Sequence, residues 1–305
     1  MKVVLAGAFG KLGSEILRAL VAAGHDVVAA DMVIRELEGL DPKAYTTRTI
    51  DVQDPENLKG LCDGADVVIT TVGLTGASTK VNNYDIDFLG NLNLINEAKA
   101  ANVNHFVYIS VINADKGDGI PMVNSKYLLE AELKASGLTY VIHRPTGYFY
   151  DIAHVFWPLI KKGQVQLLKG EPKKANVIDT PDFARFIVET MCEENKMYDI
   201  GGTETYTYQE IAQMFWEADG HTDAVPIKYA PTWMFSVLAM LPKIKAQGKS
   251  DVMKFSKFTL SNDCYGKDEV PGRGFKEYIM SKEYAPRIEA ELAEKAAAEA
   301  AAAKK

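Results

Sequence analysis

The chain has 305 residues, enough for one large core or for a cofactor-binding unit with a smaller lobe beside it. Apolar residues are 47% and charged residues 25%, an ordinary balance for a soluble globular protein, and no apolar run is long enough to span a bilayer. The net charge of −7 argues against broad attraction to nucleic acid or to an anionic membrane. Cys62, Cys192 and Cys264 stand far apart, which argues against a zinc site or a disulfide framework. No metal is expected, and a reducing, cytoplasmic setting is.

Short apolar runs alternate with amphipathic stretches through the first half. The run after Met1-Lys2 reads as a first strand, Val3–Ala6, and not as a signal peptide, because glycines at fixed spacing follow at once. Further strands are predicted at Val27–Ala30, Thr47–Ile50, Val67–Thr71, Phe106–Ser110 and Tyr140–His143. Helices are predicted at Leu12–Ala23, Pro55–Cys62, Phe88–Ala101 and Ser125–Ser136. This rhythm implies a parallel sheet with helices on both faces. After Arg144-Pro145 it breaks, and aromatics become dense at Tyr148, Phe149, Tyr150, Phe156 and Trp157. A helix is expected at Pro181–Cys192 with Thr180 as its cap, another at Tyr208–Ala218, and a short apolar one at Pro231–Leu241. The segment from Glu289 to Lys305 is almost all Ala, Glu and Lys and reads as an exposed, fraying helix. The expected division is a dinucleotide-binding core over 1–145, a substrate-side region interleaved with returning core elements over 146–285, and a helical tail over 286–305.

The strongest motif is Gly7-Ala8-Phe9-Gly10-Lys11-Leu12-Gly13, which leaves a strand and opens a helix. Gly7 permits a tight turn, Gly10 lets backbone approach a pyrophosphate, and Gly13 permits close helix–strand packing. The helix N-terminus offers free N–H groups and partial positive charge. Asp31 ends the second strand, where an acid hydrogen-bonds the adenosine ribose and repels a 2′-phosphate, so NAD is favoured over NADP. Arg35 stands nearby. Asp51 and Val52 follow the third strand, placed to flank adenine. Thr71, Val72 and Gly73 end the fourth, where small residues let a cofactor pass.

These features resemble the extended and atypical short-chain dehydrogenase/reductases. The likeness continues through Phe106–Ser110, Ser125-Lys126 with Glu130-Ala131-Glu132, Ser136–Tyr140 and Arg144-Pro145-Thr146. It is nearest to the branch holding NmrA-like, isoflavone-reductase-like and divinyl-chlorophyllide-reductase-like proteins. The implied fold is α/β, a doubly wound parallel-sheet Rossmann fold with a smaller C-terminal substrate-side lobe. The resemblance implies that Lys126 assists catalysis or holds the nicotinamide ribose, with Ser110, Pro145 and Thr146 beside the cofactor. The sequence departs from the Tyr-x-x-x-Lys pair of the wider family, since Met122 stands at the tyrosine position and Ile112 at the serine position. Tyr278 and Lys282 match that spacing but lie outside the sheet. Tyr148 and His154 are the other candidate catalytic groups, histidine because it titrates near neutrality.

The leading expectation is an NAD(P)-dependent reductase acting on a small organic substrate, with an aromatic one well suited to the dense aromatics. The alternatives are a non-catalytic dinucleotide-binding sensor or assembly protein, favoured by Met122 and Ile112, and a sugar-nucleotide epimerase or dehydratase. No nucleic-acid partner and no stable membrane insertion are expected, and a homo-oligomer is left open. The helix at Pro231–Leu241 reads as a lid, because no basic cluster flanks it strongly enough to imply lipid headgroups.

Overall fold

The computed structural model describes residues 1–74, 76–246 and 248–302, with side chains to residue 294. In chain order its first half comprises β1 (Lys2–Ala6), α1 (Lys11–Ala22), β2 (Asp26–Asp31), β3 (Thr46–Thr49), α2 (Pro55–Leu58), β4 (Val67–Thr70), a π-helical stretch (Tyr84–Gly90), α3 (Asn91–Ala100), β5 (His105–Ile109), α4 (Pro121–Ala135) and β6 (Thr139–Pro145). The second half comprises α5 (Phe149–Lys161), β7 (Val165–Leu168), β8 (Lys174–Ala175), α6 (Thr180–Thr190), β9 (Lys196–Gly201), β10 (Tyr206–Thr207), α7 (Tyr208–Ala218), β11 (Ile227–Ala230), α8 (Thr232–Met240), α9 (Pro242–Ala246), α10 (Ser250–Ser261), β12 (Asp268–Glu269), α11 (Phe275–Ser281) and α12 (Ala285–Ala302).

Eight strands form one sheet in the order β12-β9-β6-β5-β4-β1-β2-β3, and every pairing in it is parallel. This is the expected doubly wound Rossmann sheet. Alternation along the strands divides the core in two. Val3, Leu5, Val27, Ala29, Val67, Ile69, Val107 and Val141 face α1 and α6. Val4, Ala6, Ala30, Val68, Phe106, Tyr108 and Ile142 face α3 and α4. Strand order reverses at β1, so a crevice opens beyond the C-terminal ends of β1 and β4, the usual ligand position in such sheets. A third core, in the lobe, gathers Phe149, Phe156, Trp157, Phe215, Phe275, Tyr278 and Tyr284. The aromatics after Pro145 are therefore largely packing. Tyr278 is among them, so its spacing to Lys282 carries no chemistry.

Several boundaries differ from expectation for local reasons. The third helix is preceded by π-helix, and at their junction Gly90 lies against Val52, leaving no room for a Cβ. The Pro55 helix stops at Leu58, just before Gly60 at φ +71°. Asp179, not Thr180, is the N-cap residue of α6. β6 runs on to Pro145 because β9 pairs with it there. Two small ribbons, β7–β11 and β8–β10, had no sequence signal. The tail helix is docked at its start: Ile288 is buried, Trp157 donates to Glu289 over 3.0 Å, and the Tyr150 hydroxyl donates to Glu291 over 2.9 Å.

Beneath the sheet edge lies a closed ionic group. Glu130 of α4 is fully buried and accepts from Arg144 Nε at 2.8 Å, Arg144 Nη2 at 2.5 Å and the Ser110 hydroxyl at 2.6 Å. Both carboxylate oxygens are thus bonded, and removing one partner strands the other. Arg144→Leu should therefore cost about 3–5 kcal/mol in urea unfolding. The double variant Arg144→Leu/Glu130→Leu should cost less than the single one.

Candidate dinucleotide site

The site begins where β1 ends. Gly7 adopts φ +81°, and a Cβ there would lie 2.5 Å from Thr71 Oγ1. A Cβ on Gly13 would overlap the Gly7 carbonyl oxygen. Helix α1 thus presses against the strand exit more closely than any side chain permits. Gly10 differs: it is the N-cap of α1 at φ −73°, ψ 173°, and a Cβ there would meet only the Gly7 carbonyl, at 3.4 Å. The protein itself would tolerate alanine there. Among the described residues no side chain caps α1, so its first-turn amides are open to an outside acceptor. This cradle fits a pyrophosphate.

Two neighbouring strands hold the loop. The Thr71 hydroxyl, just past β4, donates to the Gly7 carbonyl over 3.0 Å. Asp31 at the end of β2 accepts from the Phe9 amide at 2.9 Å and from the Met32 amide at 2.7 Å. Its half-buried carboxylate keeps lone pairs for ribose hydroxyls. The Phe9 and Leu12 side chains are both buried in the core, leaving only their backbone at the loop surface. Lys11 reaches outward, 3.4 Å from Asp151 and over the Tyr150 ring.

Further along the edge, Lys126 Nζ lies 3.1 Å from Asp87 Oδ1, with 18% of its side chain exposed against 1% for Asp87. Asp87 sits on the π-helical stretch, a form that often marks functional sites. Its other oxygen accepts from the Leu74 amide at 2.9 Å and Asn83 Nδ2 at 3.1 Å. Asn91 bonds the Val72 carbonyl and the Thr70 hydroxyl, fixing the strand end. A Cβ on Gly73 would lie 2.8 Å from Asp87 Oδ1 and 3.3 Å from Lys126 Nζ, so Gly73 keeps the path to the ammonium open.

The structure thus joins Gly7–Gly13, Asp31, Thr71–Gly73 and Lys126 along one sheet edge. Asp51 instead caps its own turn, accepting from the Gln53 amide at 3.0 Å, while Val52 is buried against Gly90. Ser110 is committed to Glu130. Pro145 is buried in β6, and the Thr146 hydroxyl donates to the Asn176 carbonyl over 2.8 Å. Tyr148 stacks on Phe183, and burial, with Asp151 nearby, pushes its pKa up. His154 faces α12, with Nδ1 3.6 Å from Glu291. Sequence reasoning missed Asp87, Asn91, Glu130 and Arg144. Local sequence carried little signal for them: Asp87 and Glu130 each stand two positions from a second acid, Asp85 and Glu132, with nothing to single out the buried one.

The model of a family described as NAD(P)H-binding matches residues 7–194. The chain belongs to that NAD(P)H-binding family. Its Rossmann core is that of the atypical short-chain dehydrogenase/reductases, as the glycine spacing indicated. Photosystem II assembly factor Ycf39 of Cyanophora paradoxa is 27% identical over 219 residues, spanning 70% of this chain and 67% of that protein. The chloroplastic divinyl chlorophyllide a 8-vinyl-reductase of Oryza sativa subsp. indica is 26% identical over 284 residues, spanning 84% of this chain and 68% of that protein. The fold is shared with an NADPH-dependent quinone oxidoreductase of Escherichia coli solved with NADPH, at TM-score 0.70 and 20% identity over 91% of this chain and 98% of that one.

A second polar group lies at the far edge, where a cavity of about 10 Å³ is lined by Asp179, Asp182, Glu204 and Arg273 among others. Burial, and then repulsion from Asp182, raises the Asp179 pKa to about 6 against the pull of Arg273. A cavity of about 100 Å³ under the 168–173 loop is too small for a dinucleotide and lies in the lobe.

The two kinds of glycine should separate by experiment. Gly13→Ala should unfold at markedly lower denaturant than wild type, whereas Gly10→Ala should keep its midpoint yet bind dinucleotide at least about tenfold more weakly. Asp179 sets a pH test. Its raised pKa means folding favours the protonated acid, so its contribution is complete below its unfolded pKa and is lost as pH rises through about 6. Asp179→Asn should then stabilise the fold by about 1 kcal/mol at pH 8, after discounting for partial exposure, and by nearly nothing at pH 4.

Proposed function

We propose that the protein is an NAD(P)H-dependent reductase of the atypical short-chain type, preferring NADH and reducing a small, flat organic substrate with an activated double bond. The observation that carries this reading is Lys126, held by Asp87 at the open end of the crevice beside Gly73. A bound nicotinamide supplies the hydride. The chain's own part is to hold and shield. The α1 amides meet the phosphates, Asp31 takes the adenosine ribose, and Lys126 donates to the nicotinamide ribose or faces negative charge building on the substrate. Asp31 supports NADH because a 2′-phosphate would meet its carboxylate. Met122, on α4 one turn before Lys126, has no proton to exchange, and Ile112 is buried in the lobe core. That removes the pair that alcohol–ketone chemistry uses, and leaves reduction of an activated double bond as the better match.

A second reading has support of its own. Tyr148 and His154, the other candidate proton donors, are engaged elsewhere, and a relative at 27% identity is named an assembly factor. A dinucleotide-binding protein without turnover fits those facts.

Calorimetric titration with NADH and NADPH, followed by a screen of enones, quinones and aryl ethers for loss of nicotinamide fluorescence, separates the two. The reductase reading expects tighter NADH binding, at least tenfold weakening in Asp31→Ser, and turnover that Lys126→Met lowers about 100-fold while nucleotide still binds. Tight binding with no turnover across the panel would support the second reading instead.

A further inference from the structure

Between Lys228 and Lys257 the sequence holds six lysines and one acid, Asp251, in a chain whose net charge is −7. The same segment carries the most exposed apolar helix of the described residues. On α8, Trp233, Val237 and Met240 recur at the spacing of one helix face, and Leu241 follows at its end. They are 64%, 50%, 68% and 43% exposed, whereas Trp157 and Trp216 are 3% and 6% exposed. The opposite side of α8 is occupied: Ala239 is buried, and its carbonyl accepts from the Ser250 hydroxyl over 3.0 Å. Lys243, Lys245 and Lys249 are exposed immediately beyond the apolar face. Among the described residues, Lys254 alone of the segment's lysines is ion-paired, with Asp251 at 3.0 Å.

The sequence reading expects a lid whose apolar face turns toward the substrate. The segment does reach the site's neighbourhood, since Gly248 packs against the Ser78 carbonyl in the loop after β4. The Trp233 face, however, looks outward, and the exposed Lys243, Lys245 and Lys249 follow it directly in the chain. A second copy is a poor occupant, because a two-fold contact would bring these lysines against themselves. An anionic lipid surface meets both halves at once: apolar side chains sink to the headgroup boundary while lysines meet the phosphates. The acidic remainder of the chain is repelled, which orients the contact. No described helix is long and apolar enough to cross a membrane, so the contact is interfacial.

We propose that α8 and α9 dock the protein on an anionic lipid surface, with Trp233, Val237, Met240 and Leu241 at the headgroup boundary and Lys243, Lys245 and Lys249 on the headgroups. The proposal is independent of the reductase reading. The test is flotation of the full chain with vesicles of phosphatidylcholine alone and of phosphatidylcholine with phosphatidylglycerol, with tryptophan emission read in parallel. Expected are co-flotation with the anionic vesicles only, release by high salt, and a blue shift that Trp233→Phe removes while flotation persists. Lys243→Glu/Lys245→Glu/Lys249→Glu should weaken binding at least tenfold, and Trp233→Ser/Met240→Ser should abolish it. NADH titration of the same variants, expected to be unchanged, reports folding and keeps a failure of the dinucleotide site separate. The proposal is overturned if anionic vesicles do not float the protein, or if neither variant alters flotation. It is equally overturned if sedimentation shows a dimer that Trp233→Ser/Met240→Ser splits while vesicles bind nothing.

Discussion

The approach of α1 to the end of β1 is the contact from which the candidate site is built. Gly13 lies against the Gly7 carbonyl with no room for a Cβ, and Thr71 and Asp31 tie the same loop to β4 and β2. Three parallel strands therefore hold one helix N-terminus in place before any ligand arrives. The amides of the first turn are already oriented, so little ordering entropy is lost when an anion binds. Gly7 and Gly13 are required by the packing itself, whereas Gly10 has room for a Cβ, although all three belong to one motif.

Helix α4 carries the second constraint. Lys126 and Glu130 are one turn apart on one face, and each meets a charge from elsewhere in the chain. The Glu130–Arg144 pair is closed: its carboxylate is buried and bonded on both oxygens, with Ser110 as a third donor. The Lys126–Asp87 pair is half open, because the ammonium keeps some exposure while its partner has almost none. The closed pair fixes how α4 is rotated against the sheet, and this aims Lys126 into the crevice. Burial of Glu130 is costly unless Arg144 is in place, so the direction of Lys126 is tied to an interaction made one turn further along α4.

Much of this is legible in the sequence because it is local. Strand runs, the glycine spacing and Asp31 at a strand end each fall within a few residues of one another. Lys126 is legible through resemblance. Its partner is not: Asp87 comes from a π-helical stretch 39 positions earlier, and nothing local marks a π-turn. Ser110 reads as a cofactor neighbour through the same resemblance, but the fold brings Glu130 to it first. His154 has suitable chemistry, while the direction of its side chain depends on α12, whose alanine-rich composition gives no hint that Glu289 and Glu291 hold α5. What is missing in each case is long-range contact, which periodicity does not encode.

The absence of the family's tyrosine limits the chemistry more than the loss of one side chain suggests. In a Tyr-x-x-x-Lys pair the lysine lowers the phenol pKa, so that it exchanges a proton near neutrality. The phenols near this site are driven the other way. Tyr108 lies 5.7 Å under Lys126 Nζ, yet burial, and then the Asp87 and Glu130 charges, raise its pKa well above the ordinary value. Tyr148 is raised as well, chiefly by burial. Neither phenol can readily ionise, so a step that begins by taking a proton from an alcohol has no base among them. Hydride addition to a conjugated double bond makes a different demand. Its developing charge spreads over the substrate, an ammonium such as Lys126 can face it, and the proton can arrive from water afterwards. On the proposed reductase reading, an ammonium at Lys126 suits a reduction in which charge is met before a proton is moved.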